Sequence, residues 1–175
     1  ISGGCAQAKA KKEYAKLFPG RTMRADRFAS AELLVRQAAD QPAAPRISIV
    51  VPLYNTPQQF LGELLDSVQH QTYQNWELCL VDAGQDETVG QTVAARAAED
   101  PRIRYQKLEK NEGNAGNTNQ GFARATGEFI ARLDHDDILH PCALWYVAEA
   151  IAKQGADFVY TDEVTFEGDI AHLTG

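Results

Sequence analysis

The chain has 175 residues, 44% of them hydrophobic, with three cysteines and a formal net charge of −7. That is about one globular domain's worth of core, no apolar run approaches the ~18 residues of a membrane-spanning helix, and Cys5, Cys79 and Cys142 lack the number and spacing of a disulfide framework or zinc site, which points to a reducing, cytoplasmic compartment. Residues 1–46 carry nine Lys/Arg against four Asp/Glu, whereas the remaining 129 residues carry eight against twenty, a body too acidic to favour nucleic acid, whose affinity comes from Lys and Arg on phosphates.

Weak helical patterning around Tyr14–Leu17 and at Ala31–Ala39, broken by Pro19-Gly20 and by Pro42–Pro45, makes residues 1–45 a helical leader or linker. The first residue is Ile1 rather than Met, as in a section of a longer polypeptide. Ile47–Val51 is a β-branched run that predicts a buried strand stopping at Pro52-Leu53-Tyr54-Asn55. Thr56 stands where it could cap a helix starting at Pro57, with Phe60, Leu61, Leu64, Leu65 and Val68 at helical spacing up to His70. Trp76–Val81 predicts a second strand, closed by Asp82-Ala83-Gly84, and Asp86 opens a helix carrying Val89, Val93, Ala94 and Ala97. Ile103, Tyr105 and Leu108 give a third strand. Asn111–Gly116 reads as a Gly/Asn loop into a helix over Asn117–Ala125, ended by Thr126-Gly127 as a C-cap. Phe129–Leu133 is the fourth strand, Pro141 starts a helix with Leu144, Val147, Ala148 and Ile151 on one face, and Asp157–Tyr160 is a fifth strand.

This alternation predicts an α/β fold: a Rossmann-like, mostly parallel sheet with helices on both faces. Ligands of such sheets gather at the carboxyl ends of the strands, beside the switch in strand order. Those ends present Tyr54-Asn55-Thr56, Asp82, the stretch Asn111–Asn119 and the acidic turn Asp134-His135-Asp136-Asp137. Crowded carboxylates raise one another's pKa unless solvent, a cation or a proton neutralises them. Mn²⁺ or Mg²⁺ suits all-oxygen donors and shares its shell with substrate phosphates; the plainer alternative is a solvated capping turn. The shared edge favours the metal, with a nucleoside diphosphate as ligand. No GxGxxG follows the first strand and no GxxxxGK[ST] is present, so dinucleotide oxidoreduction and P-loop hydrolysis lack their phosphate cradles.

The ordered stretches Pro45–Thr56, Ser67–Leu78, Asn111–Asn119 and Ala125–Glu128 leading into Asp134-His135-Asp136-Asp137 resemble the nucleotide-sugar half of family 2 glycosyltransferases, over about residues 46–165. The resemblance implies a GT-A nucleotide-diphospho-sugar transferase domain over 46–175, truncated after the donor half. It implies metal-dependent, inverting transfer of a sugar from a UDP-, GDP- or dTDP-type donor to a hydroxyl of a saccharide or lipid-linked saccharide acceptor. The wording ATGEFIARLDHDD and YTDE is similar to bacterial enzymes of O-antigen and surface-polysaccharide synthesis, which implies peripheral association of the full-length protein with the inner face of the membrane.

Position by position, the resemblance implies that Pro52, Tyr54 and Asn55 line the nucleoside pocket, with the Tyr54 ring on the base. Asp134-His135-Asp136 matches the DXD metal motif, with Asp136 a direct ligand and Asp134 at ribose or metal. Asp137 either binds metal through water or caps the next turn, and His135 is a spacer. Asn119, and behind it Asn114 and Asn117, face the nucleotide. Where many relatives carry two acids after the second strand, this chain has Asp82 followed by Ala83, which leaves the reader of the nucleobase open. Inversion also needs a general base; family placement puts it in the acceptor half, beyond Gly175, rather than at Asp162 or Glu163, so the fragment alone is expected to be inactive. Rival readings are a nucleotide-sugar-binding module without turnover and a sugar nucleotidyltransferase, whose usual Gly-rich, basic first loop is absent after Val51.

Overall fold

The computed structural model describes residues 30–163, 165–166 and 173–174; the patterning around Tyr14–Leu17 lies outside them. The elements in order are α1 (Ala31–Ala39), β1 (Ile47–Leu53), α2 (Gln58–Gln69), β2 (Trp76–Asp82), α3 (Glu87–Glu99), β3 (Ile103–Lys107), α4 (Gly113–Phe122), β4 (Phe129–Arg132), α5 (Ala143–Gln154), β5 (Thr165–Phe166) and β6 (Leu173–Thr174). The first four strands form one parallel sheet in the order β3-β2-β1-β4, and β5 and β6 pair separately and antiparallel. Among the described residues no helix is long and apolar enough to cross a membrane.

Every residue of β1 and β2 is buried, as the inner strands of a parallel sheet covered on both faces must be. Ile49, Val51, Leu53, Leu78 and Leu80 pack in one core with Leu61, Leu64, Leu65 and Val68 of α2, Val89 and Val93 of α3, and Leu144, Trp145 and Ala148 of α5. Helix α4 covers the other face. A Cβ at its Gly121 would overlap Val50 Cγ1 and come within 3.1 Å of Val81 Cγ2. Right-handed crossovers explain the division: the chain walks outward from β1 to β2 to β3 with α2 and α3 on one face, then returns past β1 to β4 and carries α4 on the other. Strand order therefore reverses between β1 and β4.

Helix α1 is packed on this domain. Leu34 and Ala38 are buried, the Thr72 hydroxyl donates to Gln37 Oε1 at 3.0 Å, and Trp145 Nε1 donates to the Asp40 carbonyl at 2.7 Å.

Several local expectations are corrected. Strand β1 runs through Pro52 to Leu53. The Val50 carbonyl accepts from Leu133 N–H at 3.1 Å, so alternate β1 residues face β4, and Pro52, two positions on, faces past the end of that strand and removes no ladder donor. Pro57, not Thr56, occupies the N-cap of α2, without a side-chain bond, and Thr56 Oγ1 is buried with no partner. Helix α4 starts at Gly113 and ends at Phe122. Asn111 Oδ1 accepts from Gly113 N–H at 2.9 Å and Asn117 Oδ1 from Glu112 N–H at 3.0 Å, so asparagines that read as loop organise the helix start instead. Residues 157–160 form no strand, and Phe158 and Tyr160 are 84% exposed; a β-like local pattern without a partner edge makes no ladder. Asp86 does cap α3, accepting from Thr88 N–H at 2.9 Å.

At the amino end of the sheet lies a buried carboxylate, Glu77, 1% exposed. Its Oε1 accepts from Ser48 Oγ at 2.6 Å, from Thr126 N–H at 2.6 Å and from Thr126 Oγ1 at 2.9 Å; its Oε2 accepts from Arg104 Nη1 at 2.9 Å. Gly127 N–H in turn donates to Ser48 Oγ at 2.8 Å. Burial works against ionisation of Glu77, but these hydrogen bonds outweigh it and hold the carboxyl at about 2.

Two predictions follow from this packing. Because the folded-state pKa of Glu77 lies below its ordinary value of 4.5, its contribution is complete above that value and is lost as pH falls toward about 2. The contribution is about 3 kcal/mol, with about 2 kcal/mol of it gone by about pH 3. Urea denaturation should show the stability gap between wild type and Glu77→Gln narrowing by that amount from about pH 6 to about pH 3, and a gap that does not change with pH would sink the assignment. Second, a Cβ at Gly127 would overlap the Arg46 carbonyl oxygen, whereas nothing lies within 4 Å of one at Gly62 inside α2. Gly127→Ala should cost about 1–3 kcal/mol and Gly62→Ala should stabilise by about 0.5–1 kcal/mol, read from denaturation midpoints.

Candidate functional site

Strand order reverses between β1 and β4, and open α/β sheets hold ligands outside the carboxyl ends of the strands at such a reversal. Onto that edge the fold brings Tyr54 and Asn55 after β1, Asp82–Gln85 after β2, the first turn of α4 after β3, and Arg132–Asp137 after β4.

Pro52 is buried within β1, and Tyr54 is 48% exposed just beyond it. Asn55 has φ 51, a left-handed conformation that Asn tolerates better than most residues. Its Oδ1 accepts from Gln85 N–H at 3.3 Å, and Ala83 N–H donates to the Leu53 carbonyl at 3.0 Å. A Cβ at Gly84 would come within 2.8 Å of Asn55 N and 3.0 Å of Asp82 Oδ1, so glycine is what lets the two loops meet.

Asp82 is 1% exposed and well occupied. Its Oδ1 accepts from Gly84 N–H at 2.8 Å, and its Oδ2 from the Tyr105 hydroxyl at 2.7 Å and Lys107 Nζ at 2.8 Å. Burial, with the hydrogen bond to Asp82, pushes the Tyr105 hydroxyl pKa up. A carboxylate has about four acceptor positions, so Asp82 has room for about one more donor. Tyr105 and Lys107, which fix it, carry no local signal in the sequence beyond their place on a strand.

The acids after β4 are arranged differently. Arg132 Nη2 donates to Asp134 Oδ1 at 2.8 Å, with both side chains nearly half exposed, and Asp137 N–H donates to the Asp134 carbonyl at 3.3 Å to close the turn. Partial burial, then the charges of Asp136, Asp134 and Glu163, raise the pKa of Asp137. His135 lies between them with Nδ1 buried and without a partner. Among the described residues no three His, Cys, Asp or Glu side chains converge closely enough to hold a metal by themselves. The donor chemistry nevertheless fits a hard divalent cation: the site offers carboxylate oxygens within four residues of one another, and Mg²⁺-type ions draw on one or two carboxylates and take the rest from phosphate and water.

The three asparagines separate. Asn117 is buried, donating from Nδ2 to Asn111 Oδ1 at 2.9 Å. Asn114 Oδ1 lies 3.5 Å from Arg132 Nη2, which joins the first turn of α4 to the acidic turn. Asn119 is exposed further along α4. Arg132 itself is absent from the sequence-derived site, although its place two residues before Asp134 puts both on one side of the strand end.

Comparison with known proteins agrees with this geometry. A protein of Sinorhizobium fredii is 45% identical over 121 residues, 68% of this chain and 13% of its own length. The O-antigen biosynthesis protein RfbC of Myxococcus xanthus is 38% identical over 121 residues, 68% of this chain and 10% of its own. The chain thus spans a small part of these relatives. Among solved structures, the mannosyltransferase PcManGT of Pyrobaculum calidifontis, in complex with GDP-Man and Mn²⁺, superposes with a TM-score of 0.56 over 86% of this chain and 44% of its own, at 22% identity; that is a likeness of fold, of the GT-A type. The family model described as glycosyl transferase family 2 matches residues 48–173, and the chain belongs to that family.

Proposed function

We infer that this chain is the donor half of a metal-dependent, inverting glycosyltransferase that takes its sugar from a nucleoside diphosphate. The observation that carries the reading is the acidic turn Asp134–Asp137 at the β1/β4 reversal, where partial burial, then the charges of Asp136, Asp134 and Glu163, raise the pKa of Asp137, with Tyr54 and Asn55 following the neighbouring strand β1. In this reading Pro52, Tyr54 and Asn55 form the nucleoside wall, with the Tyr54 ring stacked on the base, and Asn119 faces the nucleotide from α4. Asp82 uses its remaining acceptor position toward the base. Asp136 and Asp134 hold the cation, Asp137 through water. A bound Mn²⁺ or Mg²⁺ would neutralise charge on the departing diphosphate. The protein's task is to fix that diphosphate so that an acceptor hydroxyl can reach the anomeric carbon from the opposite side, which inverts the centre. The carboxylate that takes the hydroxyl's proton belongs to the acceptor side and is neither Asp162 nor Glu163.

The name of RfbC supports an acceptor in surface-polysaccharide synthesis: a saccharide or lipid-linked saccharide, met in the cytoplasm at the inner face of the membrane by a peripherally associated full-length protein. The Mn²⁺ and GDP-Man of PcManGT support a cation and a nucleotide sugar.

Calorimetric titration of the chain with UDP, GDP and dTDP, each with Mn²⁺ and with EDTA, tests the donor site. One diphosphate should bind with Mn²⁺ and not with EDTA, and Asp136→Ala should weaken it at least about tenfold, as loss of a charge-assisted ligand does. Failure of a folded sample to bind any of the three would defeat the reading in favour of a domain without a donor site. In the same series Tyr54→Ala should weaken the nucleoside and the diphosphate alike, by about tenfold, the scale of one lost aromatic stack.

A further inference from the structure

A nucleoside diphosphate brings negative charge to an edge that is already negative. Asp82, Glu109, Glu112, Asp134, Asp136 and Asp137 stand along it, against Lys107, Lys110 and Arg132. The three cations are not equivalent. Lys107 Nζ lies 2.8 Å from Asp82 Oδ2 and is committed to that buried carboxylate. Lys110, 78% exposed, lies 3.5 Å from Glu112 in the segment after β3, two strands away from β1 and three from β4. Arg132 is the last residue of β4, at the reversal itself.

Arg132 is held at one nitrogen. Nη2 donates to Asp134 Oδ1 at 2.8 Å and lies 3.5 Å from Asn114 Oδ1 in the first turn of α4. Among the described residues the guanidinium makes its hydrogen bonds through Nη2 alone. A guanidinium carries five N–H donors in a fixed plane, so those on Nε and Nη1 remain for a ligand; they point to opposite sides of Cδ, so each meets a separate phosphate oxygen as a charge-assisted donor. The ion pair with Asp134, with side chains 46% and 43% exposed, belongs to a class that contributes little to stability. It also engages only Oδ1 of Asp134, leaving Oδ2 for another partner.

We propose that Arg132 is a diphosphate-binding residue of the donor site, anchored at Nη2 by Asp134 and Asn114 and donating from Nε and Nη1 to phosphate oxygens. This rests on the nucleotide-sugar reading above and adds a protein cation to it. Asp134 would then serve both charges, Oδ1 keeping the guanidinium at the strand end and Oδ2 remaining free to help hold a divalent cation.

The test is to measure binding of one nucleoside and its mono- and diphosphate, with Mn²⁺, to wild type, Arg132→Lys and Arg132→Gln, the weak nucleoside by ligand-observed NMR and the phosphates by calorimetry. Arg132→Gln should weaken the diphosphate roughly ten- to hundredfold, the range of a lost charge-assisted hydrogen-bond pair, and leave the nucleoside unchanged. Arg132→Lys should fall between, because an ammonium keeps the charge and loses the fixed directions of the guanidinium donors. An equal loss for nucleoside and diphosphate would make Arg132 merely structural, and undiminished diphosphate binding by Arg132→Gln would remove it from the site; either overturns the proposal while the donor reading stands. Absence of nucleotide binding by wild type would overturn both.

Discussion

The buried carboxylate of Glu77 is the constraint on which the geometry of the site depends. It is 1% exposed, and a buried charge is tolerated only when its lone pairs are filled. The donors that fill them come from β1 (Ser48), β3 (Arg104) and the turn before β4 (Thr126). Satisfying one side chain on β2 therefore draws together all the strands of the parallel sheet at its amino end. Gly127 completes the arrangement, its N–H on Ser48 Oγ and its missing side chain leaving room for the Arg46 carbonyl. With that turn fixed, β4 lies alongside β1 with Ser48 opposite Ile130 and Val50 opposite Arg132, and Arg132–Asp137 emerge beside Tyr54 and Asn55. Removing one donor would leave the charge in place and uncompensated, so the network resists piecemeal change more than its net contribution to stability suggests.

Strand β2 carries a second buried carboxylate at its other end. Asp82 is held by Gly84 N–H, Tyr105 and Lys107. These two acids contrast with Asp137, whose pKa is raised by partial burial and then by the charges of Asp136, Asp134 and Glu163. Acids that the protein satisfies internally build its frame, and in the proposed reading the acids of the Asp134–Asp137 turn are the ones left to a cation.

The fold was legible because its signals are local. Alternation of β-branched runs with helical spacing marks each strand and helix from Ile47 to Gln154, and the Asp134–Asp137 cluster announces itself within four residues. What was not legible depends on distance in sequence. Glu77 within Trp76–Val81 reads as an oddity in a buried run, because its donors stand 27 to 49 residues away. The grip on Asp82 is equally remote, Tyr105 and Lys107 being 23 and 25 residues distant. Thr56 looks like a cap from its spacing, yet Pro57 takes that position. Asn111–Gly116 looks like loop by composition, but Asn111 and Asn117 use their side chains to start α4. Residues 157–160 have the alternation of a strand without an edge to join. Arg132 was within reach: period two from Asp134 places it at the same strand end.

The burial of Ala83 bears on how a nucleobase would be chosen. At 3% exposure, with its N–H donating to the Leu53 carbonyl, Ala83 offers a base neither an acid nor a free main-chain donor. In the proposed reading the base then meets the face of Tyr54, which every base can stack on, and a short list of polar groups: the one acceptor position left on Asp82 and the backbone around Gly84-Gln85. A single acceptor favours a base edge that presents an N–H donor. Uracil, thymine and guanine all have one, at the ring nitrogen of the pyrimidines and at the ring and exocyclic nitrogens of guanine, so Asp82 alone separates them weakly. Discrimination among UDP, GDP and dTDP would therefore fall to the width of the slot between Tyr54 and the Gly84-Gln85 loop, where Asn55 Oδ1 and Gln85 N–H fix one wall against the other. Affinity would come mainly from the phosphate end, where the divalent cation and Arg132 act and every candidate donor is alike.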